Sequence, residues 1–428
     1  MTDMRQYEQA DMLLSRLLPA NVLKFFTVKN AEILALALLL IFISNGLFNS
    51  NFVNIPVSLF QLGGVALGLL FLLRYIPQII ATLLREWSTT LILIIAGASV
   101  FWSLAPSITL EAVIWLYLTT FVGVYIALRF SPEEQLWLLV IFSLLALCIS
   151  LFFIFVMPSV GVHSSGPHVG LWRGVFSHKN IFSRYLVIGL IPLILLGNRI
   201  GYWRWIFAAL LMLGMWGASS GTGLVVTFVM VLIFPLLRLL RRRHELIVAT
   251  ALLAIPAAII VLLLLSSNYV VLLESIGEDA TLSGRTDLWA AAIEMIQRRP
   301  FTGWGFQAAF SDNSPVFSMI RWQNAPFAHN HWLDLTLELG IFATIACAFT
   351  LILSLGRAIV YIRKQKSMES FYPLAYLIQA NILALATQSL VGTFDVVWIM
   401  YVAVVYSLAI QDVPENYLPF RRSYNFQK

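Results

Sequence analysis

One short run combines several side chains that are able to move protons. His329-Asn330-His331-Trp332 is followed by Asp334 and Glu338. A histidine can act as a general base near neutral pH, and on a helix Asp334 and Glu338 would share a face with His331. The run therefore predicts a catalytic base, His329, supported by Asn330, His331, Asp334 and Glu338. The alternative is an interfacial histidine that is held by a backbone carbonyl.

The spacing His329-x-His331 also resembles a pair of metal ligands. The two rings would lie on one side only in an extended segment, and no acid or cysteine nearby completes a ligand set. We therefore predict no metal site and no cofactor.

An arginine opens the second candidate segment. Ser283-Gly284-Arg285-Thr286-Asp287 begins a helical pattern, LWAAAIEMIQRR, which Pro300 ends. Serine or threonine followed by an acid marks a helix start, whereas a cation is disfavoured there. A guanidinium beside exposed helix N–H groups suits a phosphate, so Arg285 is predicted to bind one. The alternative is an amphipathic helix on the membrane surface. The following Gly303-Trp304-Gly305-Phe306 predicts a tight turn with an aromatic anchor.

The third segment is Arg173 to Asn180, directly before an apolar run. Arg173, His178, Lys179 and Asn180 place cationic and polar groups where a helix begins, which is typical of an anion site. Snorkelling of interfacial cations is the alternative.

These segments need a scaffold, and the composition indicates a membrane-embedded one. Hydrophobic residues make up 60% and charged residues 11% of the 428 residues, far below the roughly 25% charged residues of a soluble domain. Apolar runs long enough to cross a bilayer predict an all-α polytopic protein with about 12 transmembrane helices. They lie at 31–48, 56–74, 88–104, 109–128, 134–157, 181–197, 203–218, 222–240, 246–265, 340–356, 371–391 and 394–411.

The positive-inside rule orients these helices. With a cytoplasmic N-terminus, 20 of the 27 Lys and Arg residues fall on the cytoplasmic side. The others are Arg173, Lys179, Arg184, Arg285, Arg298, Arg299 and Arg321. We therefore predict a cytoplasmic segment 1–30 without a cleaved signal peptide, a transmembrane domain 31–411 and a cytoplasmic tail 412–428. Two long loops, 158–180 and 266–331, would lie outside and carry the chemistry.

Taken together, the motifs resemble the O-antigen ligase and polymerase superfamily. The resemblance rests on GVFSHKN before a span, GRTDLW with PFTGWGF in a long loop, and HNHWLDLTLELG, in which His329-Asn330 and Gly340 match a His-Asn-x9-Gly pattern. It implies a fold similar to the GT-C class, a bacterial inner-membrane location and a periplasmic active site. It also implies glycan transfer from an undecaprenyl-diphosphate-linked oligosaccharide, with Arg285 on the diphosphate and His329 activating the acceptor.

The chain departs from the family at one turn, where many members carry a basic residue. Here the turn reads Ser219-Ser220-Gly221-Thr222-Gly223, so the second phosphate-binding cation is expected to be Arg173 or Lys179.

The HKN element is more similar to the exopolysaccharide polymerase branch, which implies that the protein joins repeat units. The transfer is expected to invert the anomeric centre and to need no metal ion. Export or chain-length proteins and membrane lipid are the expected partners, and nucleic acid is not. An O-antigen ligase acting on lipid A core, a transporter of lipid-linked sugars and a non-catalytic scaffold are the alternatives.

Overall fold

The structure is a computed structural model that describes residues 28–44, 76–239, 285–312, 314–320, 327–387 and 390–411. These residues are mainly helical, and one isolated bridge joins Val162 to Trp172. The helices of ten or more residues, in chain order, are α1 Val28–Ile43, α2 Ile76–Arg85, α3 Trp87–Ala98, α4 Pro106–Arg129, α5 Pro132–Val156, α6 Lys179–Leu195, α7 Trp203–Gly217, α8 Gly221–Leu239, α9 Arg285–Arg298, α10 His331–Lys364, α11 Tyr372–Ala384 and α12 Val396–Ala409.

Helix length and composition support a membrane protein but not the full predicted count. Among the described residues α4, α5 and α10 are long and apolar enough to cross a bilayer, and a bent pair, α2 with the segment 87–102, makes a fourth candidate. The shorter apolar helices include α7, α8 and α12. Two predicted spans, 56–74 and 246–265, lie outside the described residues. The prediction of twelve spans is therefore not confirmed.

Local sequence explains where the long helices begin. Ser131 caps α5 by accepting a hydrogen bond from the backbone N–H of Glu134, whose side chain accepts the N–H of Ser131. Proline is the first residue of both α4 and α5, a position where its missing N–H costs nothing. After its first turn, α5 consists almost entirely of apolar residues, as expected for a helix packed in a bundle within lipid.

Ion pairs gather at one end of the helix bundle. The pairs Lys29–Glu134 and Arg129–Glu32 join the start of α1 to its neighbours. Arg199 pairs with both Glu133 and Glu369, and Arg357 pairs with Glu86. All four cations belong to the set predicted to be cytoplasmic. Their grouping agrees with the predicted alternation of the helices, while the membrane side stays a prediction.

The opposite end holds the segments that the sequence analysis selected. The backbone N–H of Leu104 donates to the carbonyl of Trp304, and the Thr109 hydroxyl donates to the carbonyl of Phe306. Trp172 donates its N–H to Gly217. The segment after Pro158 and the segment before His331 therefore lie on the same end of the bundle.

Candidate functional site

His329 lies in a tight loop immediately before α10. Its φ is +54°, a left-handed conformation that is uncommon for residues other than glycine. The next residue, Asn330, caps α10 by accepting hydrogen bonds from the N–H groups of Trp332 (3.1 Å) and Leu333 (3.4 Å). Asn330 thus supports the site by fixing the helix start that presents His329.

Gly340 ends the short helix that Asn330 begins. Its φ of +79° and ψ of 178° interrupt α10, and a Cβ at this position would overlap the carbonyl oxygen of Phe301. The segment 300–305 fills the break: the N–H groups of Trp304 and Gly305 donate to Leu337 and Glu338, at 3.0 and 2.9 Å. The His-Asn-x9-Gly pattern therefore describes one nine-residue helix, 331–339, with its start and its stop.

The predicted helix after Ser283 is confirmed as α9. The described part of α9 begins at Arg285. Arg285 therefore belongs to the helix, whereas the sequence pattern predicted that it precedes the helix. Leu288, Ala292 and Met295 are fully buried in a cluster with Trp304 and Leu337. The apolar face of α9 therefore packs on the protein. The alternative interpretation, in which this face lies on the membrane surface, is wrong.

The turn Gly303-Trp304-Gly305-Phe306 is confirmed as an aromatic anchor. Trp304 and Phe306 are buried, and the Trp304 indole donates to the carbonyl of Met295 at 3.0 Å. The Arg299 guanidinium stacks over the Trp304 ring at 4.2 Å, and Arg298 pairs with Glu294. The two arginines at the end of α9 are therefore engaged in the fold.

Arg285, His178 and His329 come close enough to interact electrostatically. Burial lowers the pKa of His329 from 6.5 to about 3, and the charges of Arg285 and His178 add to the shift. His329 is consequently neutral at pH 7, as an acceptor of protons must be. Residues from both predicted loops thus meet, although 151 positions separate His178 from His329 (329 − 178).

Three histidines surround the start of α6. The ring centroids of His163, His168 and His178 lie 5.0 to 5.7 Å apart. The Nε2 atom of His163 accepts the N–H of Lys179 at 3.3 Å, and the Nδ1 atom of His178 accepts the N–H of Asn180 at 3.2 Å. These two N–H groups are therefore occupied by histidine nitrogens, and the anion site at this helix start stays a prediction.

The two remaining basic candidates in this segment point to backbone carbonyls. Lys179 is 9% exposed and its ammonium donates to the carbonyl of Ser219 at 2.9 Å. Arg173 donates from Nε to the carbonyl of Val160 at 2.8 Å. Ser219 has a φ of +44°, and its neighbour Ser220 donates to Asn180 at 3.4 Å. Lys179 thus brings a cation to the turn 219–223.

Behind His329 lie three buried polar residues. His331 is 1% exposed, and neither of its ring nitrogens has a hydrogen-bond partner among the described residues. Asp334 accepts the N–H of Ala328 at 2.7 Å, and Glu338 is buried. In the described part of the chain, no group of three or more His, Cys, Asp or Glu side chains could hold a metal ion.

Sequence reasoning missed Trp289, His163 and Ser219. The Trp289 indole donates to the carbonyl of Ala328 at 2.8 Å, which ties α9 to the His329 loop. Each of the three residues acts through a contact distant in sequence, so no local pattern marks it. Only the position of Trp289, four residues after Arg285 on one helix face, could have suggested a shared role.

Comparison with known proteins gives a family for part of the chain. A family model described as O-antigen ligase matches residues 205–348, a range that contains Arg285, His329, Asn330 and Gly340. No curated protein matches the chain significantly. The residues 205–348 are thus similar to the O-antigen ligase family, and this match supports the resemblance to the O-antigen ligase and polymerase superfamily.

Proposed function

We propose that this protein is a polymerase that joins undecaprenyl-diphosphate-linked oligosaccharide repeat units on the periplasmic face of the inner membrane. Its family consists of glycosyltransferase-like ligases and polymerases that act on lipid-linked glycans. The observation that carries the proposal is the position of His329, in the tight loop that Asn330 and Trp289 fix and within electrostatic reach of Arg285 and His178.

In the proposed reaction His329 takes the proton of the acceptor hydroxyl. The acceptor oxygen then attacks the anomeric carbon of the donor, and the bond between that carbon and the diphosphate oxygen breaks. The electron pair leaves with undecaprenyl diphosphate, whose growing charge Arg285 stabilises. A single displacement inverts the anomeric centre, and the diphosphate is already a good leaving group.

Lys179 is the better of the two candidates for the second phosphate-binding cation. Its ammonium donates to the carbonyl of Ser219 at 2.9 Å, which places a cation at the turn 219–223. Arg173 instead directs its Nε and one terminal nitrogen towards the carbonyls of Val160 and Ser159. Arg173 therefore braces the segment 158–174, and Lys179 is the proposed phosphate ligand.

The choice of a polymerase over a ligase rests on the HKN element, His178-Lys179-Asn180. A ligase would deliver finished chains to lipid A core. A transporter of lipid-linked sugars would instead place ionisable groups near the middle of its helices, whereas the candidate residues here gather at one end.

The test replaces His329 with alanine in cells and measures both surface polysaccharide and lipid-linked intermediates. A polymerase defect leaves single repeat units and no long chains. Long chains retained on undecaprenyl diphosphate, with bare lipid A core, would identify a ligase. Unchanged polysaccharide in the His329→Ala strain would refute glycan transfer by this site altogether.

A further inference from the structure

The backbone at His329 is held in a conformation that its own side chain does not favour. A non-glycine residue with φ near +54° persists only where the surrounding structure determines it. The following residue, Asn330, is fixed by its capping bonds to Trp332 and Leu333. The preceding residue, Ala328, must therefore be fixed as well.

Two side chains hold the backbone of Ala328 from opposite sides. Asp334 accepts its N–H at 2.7 Å, and the Trp289 indole donates to its carbonyl oxygen at 2.8 Å. Ala328 itself is fully buried, so water cannot replace either bond without opening the site. Both polar groups of the residue before His329 are thus bound to side chains.

The two side chains also come from the two elements of the proposed active site. Trp289 lies four residues after Arg285 on α9, on the same helix face. Asp334 lies in the first turn of α10, which begins next to His329. A shift of α9 that moves Arg285 would therefore pull on the Ala328 carbonyl and with it on His329.

We infer that Trp289 and Asp334 are positioning residues that hold His329 in register with Arg285 by binding the two polar groups of Ala328. This inference rests on the proposed function, in which the base and the diphosphate-binding arginine serve one reaction. Their relative placement matters because a displacement of about 1 Å can lower a rate by about 10²-fold.

The test uses the full-length protein in lipid nanodiscs. Lipid-linked oligosaccharide, extracted from a strain in which the gene for this protein is deleted, serves as donor and acceptor. Trp289→Phe removes the indole N–H and keeps an aromatic ring, and Asp334→Leu removes the acceptor at similar volume. We expect kcat to fall about tenfold for the first, the effect of one lost hydrogen bond, and about 10²-fold for the second. The affinity for undecaprenyl diphosphate should stay at its wild-type value, and the melting temperature of Trp289→Phe should fall no further than that of Trp304→Phe, which also leaves one buried carbonyl without its indole donor.

Two further variants separate positioning from general bracing. Asp334→Asn keeps an oxygen that accepts the Ala328 N–H, so it should recover most of kcat. Trp304→Phe is the matched control, because its indole N–H bonds to Met295 within the same cluster and makes no hydrogen bond to Ala328. Its kcat should remain that of the wild type.

The inference is overturned if Trp289→Phe and Asp334→Leu keep wild-type kcat. It is also overturned if Trp289→Phe loses kcat and diphosphate affinity together, or if Trp304→Phe lowers kcat as much. Wild-type turnover by His329→Ala in the same assay would instead refute the proposed function, so the two failures are distinguishable.

Discussion

The backbone N–H of Ile341 donates to the carbonyl of Pro300 at 2.9 Å, across the break in α10. In a continuous helix this N–H would bond to Leu337, whose carbonyl accepts Trp304 instead. The segment after α9 thus replaces helical bonds of α10. Gly340 separates the helix beside His329 from the apolar stretch that follows it.

Gly340→Ala should destabilise the protein by more than about 2 kcal/mol, because φ is positive here and the new methyl group meets the Phe301 carbonyl. Transfer activity should fall with it. Gly356→Ala is the matched control in the same helix, since a Cβ there meets no atom within 4 Å. Melting temperatures in detergent measure the difference, and equal values for the two variants would argue against a fixed break.

Arg285→Lys should lose most of the transfer activity and Arg285→Ala essentially all of it. A guanidinium binds phosphate oxygens through two parallel bonds, whereas an ammonium acts as a point charge. Arg298→Lys, on the same helix and paired with Glu294 at the surface, should behave as the wild type. Initial rates with the lipid-linked donor provide the measurement. Full activity of Arg285→Lys would show that charge alone suffices.

The transfer rate should not show an acid limb near pH 6.5. Burial, Arg285 and His178 together lower the pKa of His329 to about 3, and a base is lost only as the pH falls through its pKa in the folded protein. From about pH 8 to about pH 5 the neutral fraction of His329 should therefore stay nearly constant. A pH profile of kcat/KM tests this, and a limb centred near 6.5 would contradict the buried environment of His329.

His331→Met should keep activity and stability. The His331 ring is buried, and within the part of the chain that the structure describes neither nitrogen has a hydrogen-bond partner. An apolar side chain of similar size therefore removes a desolvated polar group without orphaning another there. Turnover should also survive a chelator. Copurification of stoichiometric zinc with the wild type, and its loss in His331→Met together with activity, would revive a metal role for His329 and His331.

Sidedness is open to a matched labelling experiment. Gln297, on α9, and Gln365, after α10, are both exposed and are predicted to lie on opposite sides of the membrane. In a background without Cys148 and Cys347, Gln297→Cys should react with an impermeant thiol reagent in intact spheroplasts. Gln365→Cys should react only after lysis. The reverse pattern would invert the predicted topology.

Local patterns predicted elements better than they predicted contacts. The helix 285–298 followed from apolar periodicity and the stop at Pro300, because those signals lie within the element itself. The span predicted at 340–356 begins where α10 breaks at Gly340, but the short helix 331–339 ahead of it was not predicted as a separate element, and the helix continues to Lys364. The short helix α2, bent about 100° from the next segment, was also missed.

The residues of the candidate site likewise fall into those that a local pattern predicted and those that it missed. His329, Asn330 and Gly340 were found because they form a compact motif, and Arg285 because a cation at a helix start is unusual. Trp289 binds Ala328 across 39 positions, and His163 binds Lys179 across 16. Such partners depend on how α9 and the segment 158–180 fold back, which no window of sequence contains.

The ion pair between Glu86 and Arg357 has a consequence for how the chain is made. Glu86 is 1% exposed at the corner of α2 and α3, and its partner is synthesised 271 residues later. Until then the nascent chain carries a carboxylate whose burial would be costly without that partner. Helix α3 can therefore reach its final place only once α10 has emerged from the ribosome, so products truncated before Arg357 should expose this corner to membrane proteases.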